Sequence, residues 1–182
     1  MLALFFVYLY YMKKTNLFEE LSRMKQLAGL LKEEAYLDAA TGGMILKLSD
    51  GVKNQLKSMQ VPQDPEGNQM TKLPDNSLHV TLTSIKNFKP YKDAFEDFVP
   101  ETPFPDVKLG EAKFVYRDDS GKATYVVSVE NQEELKNFVD SVYEELGLQN
   151  PEPDRFFHTT LANNKEGNSY ESIGNVTRAD FA

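Results

Sequence analysis

"LHVTL" occupies residues 78–82 and "FHTTL" residues 157–161, and between them they hold the only two histidines of the chain. In each stretch a large apolar residue precedes the histidine, a threonine follows two positions later, and a leucine closes the frame. Both stretches are short, rich in β-branched residues and bounded by polar or proline-containing segments, which is the pattern of strands. Side chains alternate along a strand, so His79 shares a face with Thr81, and His158 shares one with Thr160. Leu78, Val80 and Leu82, like Phe157, Thr159 and Leu161, point the other way and offer a mostly apolar face to a core. Each strand thus presents one imidazole and one hydroxyl side by side.

Outward from these strands the chain reads as mixed. "NLFEELSRMKQLAGLLKEEAYLDAA" (16–40) predicts a helix, with Asn16 and Glu19 placed as a capping box and Leu17, Leu21, Met24, Ala28 and Leu31 on one face. Thr41-Gly42-Gly43 ends it, and "MILKLS" (44–49) reads as a strand. A short helix over 50–59, capped from Ser49 or Asp50, comes next. The proline-containing run 61–77 reads as a mobile loop, and "LHVTLTSI" (78–85) as the first histidine strand. Residues 90–99 predict a short helix with Pro90 in its first turn. A hairpin follows over 107–118 and 123–130, turning at "DSGK" (119–122). The stripe Leu135, Phe138, Val139, Val142 and Leu146 marks a helix over 131–148 with Gly147 near its end. "PEP" (151–153) connects it to the second histidine strand, "FFHTTLAN" (156–163), and the tail is polar and turn-rich. The expectation is an α+β fold with antiparallel pairing, divided into an N-terminal extension and helix (1–40) and a main domain (41–182).

The chain has 182 residues, 41% of them hydrophobic, enough for one well-buried core. It has no cysteine, which excludes disulfides and thiolate chemistry and fits a reducing cytoplasm. A formal charge of −8 disfavours long DNA or RNA, whose binding draws on Lys and Arg at phosphates. The opening "MLALFFVYLYYM" (1–12) is too short to span a bilayer, which takes about 20 apolar residues. No basic residue precedes it and no cleavage site follows, so it reads poorly as a secretory signal. The favoured reading is an upstream extension before Met12 as initiator, with an amphipathic anchor or a core strand as alternatives. No membrane partner is expected.

A single His beside a Thr on a strand is most simply a half-buried structural residue. Two in one frame point to chemistry. A neutral imidazole can take a proton from an attacking hydroxyl while a protonated one supplies the leaving oxygen, and an ordinary pKa near 6.5 makes both forms accessible. The Thr hydroxyls can donate to phosphoryl oxygens, where negative charge builds in the transition state. The scheme uses no metal or other cofactor, and neither His has a second ligand at zinc-binding spacing.

Over roughly residues 41–165 the chain resembles the two-histidine (2H) phosphoesterase superfamily, whose signature is a pair of His-x-Thr/Ser motifs flanked by apolar residues. The resemblance implies a bilobal α+β fold with antiparallel sheets around a central cleft, and metal-independent cleavage of phosphodiester links. It implies His79 and His158 as the acid–base pair and Thr81 and Thr160 as phosphate-binding hydroxyls. Within the superfamily, the Gly-Gly before the first strand, the ending "FHTTLANN…GNSYESIG" and the acidic balance look like the phage anti-CBASS phosphodiesterases. Those enzymes cleave the 3′–5′ bonds of cyclic di- and trinucleotide immune signals in the host cytoplasm. The alternative branch acts on RNA ends as a 2′,3′-cyclic phosphodiesterase or 2′-5′ RNA ligase. An alternative of another class is a nucleotide-binding phage module without turnover. Phe156 shares the face of His158, two residues upstream, and is a candidate to stack on a base; Tyr170, in the tail, is a candidate to close over the ligand.

Overall fold

The computed structural model describes residues 37–38, 43–95, 98, 100–117, 122–164 and 176–182, all within one compact unit, 35–182. Of the helix expected over 16–40, all but Leu37 and Asp38 lies outside the described residues, as does Tyr170. Leu37 and Asp38, expected at the end of that helix, are instead a short strand.

Two antiparallel sheets form. The first has the order β1-β2-β4, from Leu37–Asp38 (β1), Met44–Lys47 (β2) and His79–Thr83 (β4). The second has the order β3-β7-β6-β5, from Thr71–Lys72 (β3), Leu109–Arg117 (β5), Lys122–Val129 (β6) and His158–Asn163 (β7). Leu37 and Asp38 pair with Leu46 and Ile45 along the edge of β2 that β4 leaves open.

Two of the expected helices fall close to their expected positions. Helix α1 (Asp50–Ser58) is capped by Ser49, whose Oγ accepts from Val52 N. The helix expected over 90–99 is displaced: a single α-turn, α2 (Ile85–Phe88), runs into a 3₁₀ segment, Lys89–Phe95. Pro90 has no N–H to donate back along an α-helix, so the chain continues in tighter turns. Helix α3 (Gln132–Glu145) ends where Gly147 takes φ +67°, a conformation that favours glycine. Leu148 N then bonds Tyr143 O and Gly147 N bonds Glu144 O, satisfying carbonyls the last turn would leave open.

The loop over 61–77 is more built than expected. The buried Asp64 carboxylate accepts from Glu66 N, Asn68 N and Asn68 Nδ2, and these bonds, with a further one from Asn164, hold it below the usual carboxylate range against the burial that would raise it. Beyond that turn, β3 pairs with the end of β7, and a 3₁₀ turn, Asp75–Ser77, leads into β4.

One core joins both sheets to α3. It contains Val80 and Leu82 of β4, Val127 and Val129 of β6, Leu161 of β7, and Leu135, Phe138, Val139, Val142 and Tyr143 of α3. Tyr143 is the α3 residue the apolar stripe did not include. It is fully buried, and its hydroxyl donates to Thr83 Oγ1 at 3.1 Å. Truncating any fully buried leucine here costs roughly 2–5 kcal/mol. On the opposite face of the four-stranded sheet Val115, Val126 and Val176 form a second, smaller cluster, packed by Phe156 and Phe181.

Candidate active site

The two histidine strands repeat one another residue by residue. In β4, Val80 and Leu82 are buried while His79 and Thr81 are half-buried; in β7, Thr159 and Leu161 are buried while His158 and Thr160 are half-buried. The expected division of faces is observed. His79 Nδ1 lies 2.7 Å from Ser77 O, and His158 Nδ1 lies 3.2 Å from Phe156 O. Each imidazole is therefore tied to the carbonyl two residues before it. A carbonyl only accepts, so Nδ1 carries the proton, and in the neutral ring the basic lone pair is on Nε2.

The strands belong to different sheets yet lie side by side, with Cα atoms of β4 and β7 within 8 Å of each other. Hydrogen bonds from the connector before β7 span the gap. Arg155 Nε donates to Thr81 O at 2.8 Å, and Arg155 Nη1 meets Glu152 Oε2 at 2.6 Å. Glu152 in turn accepts from Ser84 N at 3.0 Å, from Ser84 Oγ, and from Asn87 Nδ2 at 2.5 Å. Burial alone would raise the Glu152 carboxyl; the Ser84 bonds, the Arg155 charge and the Asn87 bond outweigh it and hold the group ionised.

The His158 ring is strongly perturbed. Burial drives its pKa down from 6.5 to about 4; the Phe156 carbonyl and Asp180 oppose this, while the charges of Arg155 and His79 add to it. Phe156 stacks on the imidazole, with centroids 6.4 Å apart and planes 15° from parallel. Phe181 packs on Phe156 at 5.1 Å, and Lys113 Nζ sits 5.8 Å from the Phe181 centroid. Phe181 and Asp180 come from a C-terminal 3₁₀ turn, Arg178–Phe181, in which Asp180 caps Thr177 N.

Across the ladders, Lys47 stands opposite His79 and Ile45 opposite Thr81; Ser128 stands opposite His158 and Val126 opposite Thr160. Phe156 lies on the expected face of the sheet, between His158 and the smaller apolar cluster. Among the described residues no group of three or more His, Cys, Asp or Glu is placed to hold a metal ion, and no helix is long and apolar enough to cross a membrane.

Arg155, Glu152, Asp180 and Phe181 were not singled out from the sequence. The one legible signal was position: "PEPDRFF" leads directly into the second histidine strand. Compared with protein-family models, with curated proteins and with solved structures, the chain matches none.

Proposed function

We propose that the protein is a metal-independent phosphodiesterase in which His79 and His158 act on one phosphoryl group held between β4 and β7. The carrying observation is that two strands of the same frame adjoin, each with its imidazole fixed at Nδ1 by the carbonyl two residues back. In this reading the two sheets are two lobes, and the strip between the motif strands is the floor of a cleft.

The chemistry follows from the ring environments. His158 is neutral in the free protein at pH 7, so its Nε2 takes the proton from the attacking hydroxyl. The oxygen bonds to phosphorus, the opposite P–O bond breaks, and His79 Nε2–H supplies the proton to the departing oxygen. A phosphodiester anion between the rings stabilises imidazolium and raises the basicity of His158 when substrate is bound. Thr81 and Thr160 donate to the non-bridging oxygens, and Arg155 adds positive charge nearby. The substrate class is a small cyclic di- or trinucleotide cut at its 3′–5′ bonds, since a chain of charge −8 is poorly suited to a long polyanion. The site of action is the cytoplasm.

The test is turnover of a panel of cyclic di- and trinucleotides, with an RNA 2′,3′-cyclic end alongside, in the presence of EDTA. Hydrolysis of the cyclic nucleotides that EDTA leaves unchanged is expected. Turnover of the RNA end alone moves the protein to the RNA-processing branch. No turnover of any, with tight binding, makes it a nucleotide-binding module.

A further inference from the structure

We infer that Arg155 and Glu152 form a positioning clamp that sets the spacing of the two histidine strands, a role that rests on the phosphodiesterase reading and deepens it. The strands share no ladder, so sheet hydrogen bonding cannot fix their separation. One short segment ties them together through its side chains, beside the shared core and the run from β3 into β4. Arg155 leads directly into β7 and holds the carbonyl of Thr81, the threonine of the other motif. Glu152 holds Ser84, the residue after β4, through both its N–H and its hydroxyl, and Asn87 in the next turn. Glu152 is itself fixed by its own N–H, which donates to Asn150 Oδ1, and Asn150 Nδ2 reaches Asp140 of α3. The chain of bonds therefore runs from α3 through the connector to the far sheet.

The geometry explains why the pair is an arginine and a glutamate. A planar guanidinium can present Nε to one acceptor and Nη1 to another at fixed angles, which a lysine cannot do. Both side chains are largely shielded, at 18% and 14% exposure, where such bonds are not loosened by solvent competition. A pair of acid–base groups acting on one phosphorus depends steeply on their separation, and a 1 Å misplacement costs on the order of 100-fold in rate.

The experiment compares Arg155→Lys, Arg155→Gln and Glu152→Gln with the wild-type chain. Four groups bear on the His158 ring: Arg155, His79, Asp180 and the Phe156 carbonyl. Arg155→Lys keeps the charge and loses the fork, so kcat should fall at least about tenfold with KM within about threefold, while the His158 ring titration stays low. Arg155→Gln should lose kcat similarly and move the His158 titration upward. Glu152→Gln, which keeps the shape of the side chain, should lower kcat in the same sense. A wild-type kcat in Arg155→Lys overturns the clamp, as does a rate loss that disappears once activity is expressed per folded molecule. A wild-type chain with no phosphodiesterase turnover sinks the functional reading instead. The clamp is then decided by nuclear Overhauser contacts between β4 and β7: their loss in Arg155→Gln, with those between β6 and β7 retained, supports it, and their persistence overturns it.

Discussion

β4 and β7 carry the same local frame, but β4 is the last strand of a three-stranded sheet and β7 an inner strand of a four-stranded one. His79 faces Lys47 across its ladder, whereas His158 is stacked under Phe156, near Phe181 and beside Arg155. What the strands have in common is local. The alternation of faces and the Nδ1 bond to the carbonyl two residues back follow from an extended backbone ending in a turn. What marks His158 is its surroundings: burial, with Arg155 just before the strand and His79 from the other sheet, holds its pKa down, against the Phe156 carbonyl and Asp180. Local sequence gives both rings the same Nδ1 contact; the tertiary neighbours set the pKa of His158.

The strongest way to break this comparison is to remove each ring. His79→Ala and His158→Ala should each lower kcat by a factor on the order of 10²–10⁴, and the double variant little further, because the two act as one unit. Turnover is measured on the cyclic-nucleotide panel. A single variant with wild-type activity would show that the repeated frame is structural in that strand. Thr81→Val and Thr160→Val should cost less, about tenfold each, since each removes one hydrogen bond to a charged oxygen.

The neutrality of His158 should also be visible without substrate. The folded chain keeps His158 neutral down to about pH 4, whereas an unfolded histidine takes up its proton near 6.5, so unfolding binds a proton between those values. Stability contributed by this residue is complete above pH 6.5 and is lost as pH falls from there to about 4, by up to about 3 kcal/mol. Urea denaturation at pH 4.5 and 6.5 should show the slope in the wild type and in His79→Gln, and a smaller one in His158→Gln. Equal slopes in all three would mean that the surroundings of His158 do not keep it neutral.

The smallest effect concerns one buried threonine from each strand. Thr83 and Thr159 are both buried, but Thr83 Oγ1 accepts from Tyr143 while Thr159 Oγ1 has no hydrogen-bond partner. An unpaired buried hydroxyl costs about 1–3 kcal/mol, so Thr159→Val should raise Tm by roughly 2–4 °C. Thr83→Val should lower it, because it leaves the Tyr143 hydroxyl unmatched. A fall in Tm for Thr159→Val would show that this hydroxyl is paired in solution.

Much of the frame was legible in the sequence because it is written at short range. The two histidine strands, the hairpin of β5 and β6, helix α3 and its terminating Gly147 all lie within a residue or a few of where period and turn chemistry put them. Leu37 and Asp38 misled because the expected helix runs on to the stop at Thr41-Gly42-Gly43, while the pairing that claims them is with β2. Residues 61–77 looked like a plain loop because prolines and polar residues dominate, and the organising carboxylate of Asp64 is unremarkable until its bonds are seen. The Arg155–Glu152 bridge had no pattern to betray it. It joins residues 152 and 155 to residues 81, 84 and 87, and no periodicity connects segments so far apart.

In the four-stranded sheet, β7 lies between β3 and β6 although it is the last strand of the described chain to be synthesised. Until it emerges, β3 has no partner in this sheet and β6 has one open edge. Assembly must therefore wait for a strand that inserts rather than one that adds to an end, which raises the share of long-range contacts and slows folding. The same order has a second consequence. A nascent or prematurely ended chain that stops before residue 158 carries one histidine motif without its partner, and on the proposed reading it lacks half of the acid–base pair.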